Sequence, residues 1–234
     1  NTYSEELSIN IHTHLHETQW EIEDSIDKYG MTPVQRLNNL GIIGPSLMAA
    51  HCVHLNEQDM AILAKNKVSI VHNPSSNMKL GSGIADIAKM LKQNLSISLG
   101  TDGSASNNRL DIMEEMRLAA LLIKGSTKSS ELIPAMEAIK MATINGAKAL
   151  GLESKIGSIE KNKKADLVAI DLSTIENQPI YNPLTTLVYS SSRSDVSHVW
   201  INGKIKLMDK KLVTIDEEKI VNLAKKWQRK LKKI

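Results

Sequence analysis

The chain has 234 residues, 41% hydrophobic and 24% charged, with a net charge of +3. That is enough apolar material for one large domain or two smaller ones; the weak charge and few aromatics (no Phe, three Trp, four Tyr) argue against a nucleic-acid platform. The one cysteine, Cys52, excludes an internal disulfide framework and the two-cysteine signature of the base-flipping zinc deaminases, and no apolar run reaches the ~18 residues of a membrane span. A reducing compartment, the cytoplasm, is the expected location. No secretory signal is visible, although a chain opening on Asn1 rather than an initiator Met says little about targeting.

The first strand is expected almost at once, over Leu7 to His14, overlapping the run INIHTHLHET from Ile9 to Thr18. Residues two apart share a strand face, so His12, His14 and His16 would line one side, with Glu17 opening the turn beyond it. Imidazoles grouped beside a carboxylate suggest a metal and an acid/base; the plainer alternative is an exposed polar edge. Gln19 to Tyr29 reads as a helix, and Thr32 with Pro33 as the N-cap and first position of another. Ser46 to Cys52 is a short apolar run containing His51, and Asn56 caps a helix through Asn66. Val68 to His72 is the third strand, NPSSNMKLGSG a loop, Ile84 to Asn94 a helix, and Leu95 to Thr101 the fourth strand.

Strand and helix alternating through short links call for parallel pairing. Every candidate ligand then falls at the carboxyl end of its strand: His14, His51, His72 and Asp102. A (β/α)8 barrel keeps its chemistry there, and an open doubly wound sheet is the competing geometry. Four units make half a barrel.

Leu110 to Lys124 is an amphipathic helix and Ser129 to Leu150 a second, stopped by Gly151. From Ile156 the character turns β-rich, with an Asn202-Gly203 hairpin signal. The terminal helix, Asp216 to Ile234, sets Ile220, Leu223, Ala224, Trp227, Leu231 and Ile234 on one face and Lys225, Lys226, Arg229, Lys230, Lys232 and Lys233 elsewhere. A packed helix with a solvated basic face is favoured over an anchor for an anionic surface. The expected division is a barrel half over 1–155, a β-rich accessory domain over 156–215, and the helix over 216–234.

The order H-x-x-E, A-A-H-C, V-H-N-P-S-S-N and G-T-D-G resembles the amidohydrolase superfamily. Within it, AAHCVHL, HNPSSNMKLGSGIA and LGTDGSASNNRLDIMEEMRLAALL are similar to the 5'-methylthioadenosine/S-adenosylhomocysteine deaminase group. The tail GSIEKNKKADLVAIDL with V-x-x-V-W-I-N-G-K resembles the closing strands of that superfamily's β-sandwich. The resemblance implies an α/β fold: the second half of a (β/α)8 TIM-type barrel followed by part of a small β-sandwich domain.

By position the resemblance makes His14 and Asp102 the metal ligands. Glu17 carries protons to and from the ring, His51 sits beside the attacking water and the tetrahedral centre, and Asp102 takes the water's proton. Glu17, Asp102 and Ser106 face the substrate. No role passes to His12 or His16, and His54, His72 and His198 are expected to be structural or surface histidines. The cofactor implied is one divalent ion, zinc, with iron or manganese as alternatives. A metal makes hydroxide available near neutral pH, a carboxylic acid such as Glu17 delivers a proton to the ring nitrogen, and each proton transfer is worth roughly 10²–10⁴ in rate.

The superfamily's H-x-H at the end of the first barrel strand has no counterpart, because Glu17 and the order of the later motifs place His12-Thr13-His14 at the fifth. The expectation is the carboxyl-terminal half of a deaminase, inactive alone, that associates with its amino-terminal half or with further copies of itself. Its substrate would be an adenosine-type small molecule. The alternatives are a guanine, cytosine or triazine hydrolase of the same fold, or a non-catalytic metal-binding assembly module.

Overall fold

The structure is a computed structural model that describes residues 2–232. Its elements run α1 (Thr2–Leu7), β1 (Ile11–Leu15), α2 (Gln19–Tyr29), α3 (Pro33–Asn39), β2 (Leu47–His51), α4 (Glu57–Lys65), β3 (Ser69–His72), α5 (Pro74–Lys79), α6 (Ile87–Lys92) and β4 (Ser96–Leu99). There follow α7 (Ile112–Thr127), α8 (Ala135–Ala142), α9 (Ile144–Ala149), β5 (Leu167–Ile170), α10 (Pro183–Tyr189), β6 (Val196–Ile201), β7 (Lys204–Met208), β8 (Lys211–Leu212) and α11 (Glu217–Leu231).

Local chemistry explains most boundaries. Thr18 caps α2 by accepting from the Glu21 N–H, and Gly30, left-handed at φ 69°, closes it. Thr32 and Gln35 form a capping box on α3 with Pro33 inside its first turn, and Asn56 caps α4. Asn202 and Gly203 both have positive φ, as a two-residue hairpin between β6 and β7 requires.

β1 to β4 form one parallel sheet in sequence order, and β5 to β8 one antiparallel sheet in sequence order. One face of the parallel sheet is dry: Leu15, Leu47, Ala49, Ile70 and Ile97 pack with Leu63 of α4, Met90 of α6, Ala120 and Ile123 of α7 and Met141 of α8. The alternate positions, His12, His14, Ala50 and Val71, face a cleft of about 380 Å3 that also reaches Asn73, Gly100 and Asp102. Apolar residues fill the helix-covered side, while the other side mixes His12 and His14 with Ala50 and Val71.

Several expectations are corrected. Thr2–Leu7 is a helix, so β1 begins only at Ile11. His16 does not share the face of His12 and His14, because the strand ends at Leu15 and His16 turns left-handed at φ 52° into full burial. The expected loop after His72 contains α5. The expected long helix over 129–150 begins only at Ala135 and is two helices, broken at Thr143, whose φ −131° and ψ −97° are not helical. The β-rich region is interrupted by α10, whose Val188 joins the main core. No residue of α11 is buried, so the expected packing of its apolar face is absent: Ile220, Leu223, Trp227 and Leu231 stay exposed. Lys233 and Ile234, assigned to that helix, lie outside the described residues.

Gly100 tests the close packing at the sheet's carboxyl end. An added Cβ would meet Asn73 Oδ1 at 2.5 Å and Val71 Cγ1 at 2.7 Å, whereas at Gly44 it meets nothing within 4 Å. Gly100→Ala is expected to lower urea-unfolding stability by about 1–3 kcal/mol. Gly44→Ala should stay within about 0.5 kcal/mol.

Candidate active site

Parallel register sets the ends of the strands level. His14 pairs with Ala50, Leu15 with His51, and His72 with Leu99, which puts His51 and Asp102 beside His14. By alternation His51 belongs with Leu47 and Ala49 on the helix side. The left-handed backbone at His51 (φ 73°) and Cys52 (φ 49°) breaks that alternation, and the His51 ring lies 5.3 Å from that of His14. Asp102 is left-handed as well, at φ 59°. Non-glycine residues held there are unusual and mark strand ends whose surroundings over-determine them.

One ligand atom each of His14, His51 and Asp102 lie within 4.8 Å of one another. Two imidazoles and a carboxylate so grouped are a donor set that suits a divalent ion such as zinc. The Asp102 carboxylate is tightly held: Oδ2 accepts from Ser76 Oγ at 2.6 Å and Ser106 Oγ at 2.5 Å, and Oδ1 from the Gly103 N–H at 2.7 Å. Burial opposes its ionisation, but the bonds from Ser106, Ser76 and Gly103, with His51 nearby, hold the carboxyl down at about 2.

Glu17 is fixed from both sides. The Glu21 carboxylate, in the first turn of α2, accepts the N–H of His16 at 3.0 Å and of Glu17 at 2.8 Å. The Glu17 side chain then accepts from Ser82 Oγ at 3.2 Å and stands 3.8 Å from His51 Nε2. His51, 1% exposed, turns its other nitrogen, Nδ1, to Asn77 Oδ1 at 2.7 Å.

The structure thus brings His14, Glu17, His51 and Asp102 to one sheet end, with Ser106 engaged on Asp102. His12 lines the same cleft. His16 lies outside it as a structural bolt: its Nε2 accepts the Val34 N–H at 3.2 Å and its Nδ1 donates to the His54 carbonyl at 3.2 Å. His54 binds the Ser82 carbonyl at 2.7 Å, and His198 stacks on Trp200 in the antiparallel sheet. His72 is 3% exposed, with no partner at Nδ1 among the described residues; burial first, then His51, hold its imidazole down at about 4.

Sequence reasoning missed Ser76, Asn77 and Ser82, which touch Asp102, His51 and Glu17 in turn. The available signal was Pro74 after Asn73, a helix start. It is a weak one here, since the Asn73 side chain makes no capping bond.

The amidohydrolase family profile matches residues 2–206. The chain belongs to the amidohydrolase family. This amidohydrolase is 49% identical over 217 residues to a 5-methylthioadenosine/S-adenosylhomocysteine deaminase of Acetivibrio thermocellus, covering 93% of the chain and 50% of that protein. It is similar to a zinc-bound adenosine deaminase from Xanthomonas campestris (TM-score 0.97, 39% identity, 100% of this chain and 53% of that one). It is also similar to a zinc-complexed atrazine chlorohydrolase from Arthrobacter aurescens (TM-score 0.89, 27% identity, 94% of this chain and 49% of that one). The chain spans about half the length of the curated relatives it matches.

The Asp102 contacts carry a pH signature. Its folded carboxyl titrates below the ordinary 3.8, so it contributes stability above that pH that is lost as pH falls toward about 2. Replacing Ser76 and Ser106 together by Ala raises the folded value toward 3.8, and the urea midpoint should fall less steeply across that window than in the unchanged chain.

Proposed function

We propose that this amidohydrolase is the carboxyl-terminal half of a metal-dependent deaminase that replaces the exocyclic amine of an adenine-type ring by oxygen, releasing ammonia. The observation that carries it is the convergence of an acid, a base and two imidazoles, Glu17, Asp102, His14 and His51, on one sheet end beside a cleft. The deaminase names of the relatives support the substrate class: 5'-methylthioadenosine, S-adenosylhomocysteine or adenosine.

In this reading His14 and Asp102 hold one divalent ion, zinc by analogy with the zinc-bound neighbours. When bound, the ion supplies Lewis-acid polarisation of water and ring. Glu17 delivers a proton to the ring nitrogen as water adds to the neighbouring carbon, and Asp102 takes the water's proton. That proton leaves with the amine, so that the C–N bond breaks and ammonia departs, and the proton left on the new hydroxyl returns to Glu17 as the C–O bond becomes a carbonyl. His51 stands beside the tetrahedral carbon. Ser106, bonded to Asp102, fixes the carboxylate and borders the substrate.

The four-stranded parallel sheet is read as half of a (β/α)8 barrel and the antiparallel sheet as part of a β-sandwich, with divisions at 1–155, 156–215 and 216–234. Among the described residues, β1 and β4 pair on one side only, so each leaves an open edge. An amino-terminal half, or a second copy, is the partner that would cover those edges and complete the ligand set. The cytoplasm suits Cys52, a buried free thiol whose pKa burial pushes up, followed by the effect of Glu21. Among the described residues no helix is long and apolar enough to cross a membrane.

The test supplies the upstream half and measures ammonia from 5'-methylthioadenosine, S-adenosylhomocysteine and adenosine, with guanine and a chlorinated triazine as competitors. Ammonia from the adenine-type substrates is expected, with Glu17→Gln reducing turnover by roughly 10²–10⁴-fold and a chelator abolishing it. Chloride release from the triazine without ammonia from any nucleoside would refute the assignment. The chain by itself is expected to be inactive.

A further inference from the structure

A single short segment indexes the whole candidate site. Ser76 donates to Asp102 and Asn77 faces His51, both from α5, while Ser82, three residues past that helix, donates to Glu17. The segment is itself anchored: the Ser75 N–H donates to Glu115 Oε2 at 3.0 Å, and Lys79 Nζ donates to the Ala105 carbonyl at 2.8 Å and Asn108 at 2.6 Å. The Ser82 N–H closes back on the Asn77 carbonyl at 2.8 Å. Asn77 therefore has little freedom to leave His51.

We propose that Asn77 is a positioning residue: by accepting from His51 Nδ1 it keeps a proton on that nitrogen and leaves Nε2 as the nitrogen that serves the reaction. The two side chains are each 1% exposed and 2.7 Å apart, so the bond is made away from water, where an unmatched donor or acceptor is most costly. Among the described residues Asn77 Nδ2 has no partner, and its oxygen is the atom that meets the ring. An N–H···O bond at one imidazole nitrogen selects the tautomer and aims the other. Here the other nitrogen, Nε2, stands 3.8 Å from Glu17 Oε2, on the side where His14 and Asp102 converge. With the amide reversed, Nδ2 would face the ring, the proton would move to Nε2, and His51 would present a donor to Glu17.

The proposal rests on the deaminase reading only for what Nε2 does; the tautomer is measured without turnover. Long-range proton–nitrogen spectra of the nitrogen-15-labelled chain are expected to show His51 protonated at Nδ1 and bare at Nε2. Asn77→Leu should shift His51 to a mixture of tautomers, and Asn77→Asp, which keeps an acceptor, should restore the Nδ1 proton. Unchanged signals from the buried His16 report that each variant is folded. A His51 bare at Nδ1 in the unchanged chain overturns the proposal without any variant, and so does a spectrum that Asn77→Leu leaves unaltered. With the upstream half supplied, Asn77→Leu should lower kcat at least tenfold with KM little moved, and Asn77→Asp should recover part of it. Full kcat in folded Asn77→Leu, with ammonia still released, overturns the positioning role and leaves the deaminase reading standing. No ammonia from the unchanged protein refutes that reading, while the spectrum still decides the tautomer.

Discussion

The structure depends on the register of its parallel sheet. His14, His51 and Asp102 are far apart in sequence and have no local reason to meet. They meet because β1 to β4 pair in order, with Leu15 opposite His51 and His72 opposite Leu99, so that every strand delivers its last residues to the same end. Hydrogen-bonded pairing sets this to within a residue, and a slip of one would send His14 to the helix-covered side and Leu15 into the cleft. The dry face built on Leu47, Ala49, Ile70 and Ile97 is what forbids the slip, so core and site are specified by the same alternation.

Register alone brings the side chains near; left-handed residues and a second ring of hydrogen bonds aim them. His16, His51, Cys52 and Asp102 all have positive φ where their strands end. The strain is carried by contacts that would otherwise go unmade: His16 satisfies the start of α3, Glu21 takes two N–H groups of the turn holding Glu17, and Asp102 accepts three bonds. Buried Glu115 does the same for the segment behind, accepting from the Ser75 N–H and from Asn107, with its carboxyl pKa raised chiefly by burial.

Much of this was legible in the sequence. Apolar runs ending on His14, His51, His72 and near Asp102 announced four strands, and Thr32 and Asn56 marked helix starts that the structure keeps. What escaped was held by tertiary contacts rather than by pattern. α5 is short, polar and without a side-chain cap; it forms because Glu115, Asp102, His51 and the loop at Ala105 all bind it, and none of these is a neighbour in sequence. The break at Thr143 is invisible to periodicity, since both halves of the run are apolar at helical spacing. α11 shows the opposite limit: amphipathicity reveals that Ile220, Leu223, Trp227 and Leu231 form a face, and says nothing of what covers it.

In the proposed function the chemistry is divided, with His14 and Asp102 as two ligands here and the remainder on an amino-terminal half. Elemental analysis after dialysis tests it directly, with zinc supplied first to the chain alone and then to the chain with that half. A catalytic zinc commonly takes three protein ligands. Almost no retained zinc is expected in the chain alone, and one ion per chain in the complex. One tightly held ion in the chain alone would contradict it, and would mean that His14, His51 and Asp102 form a complete site.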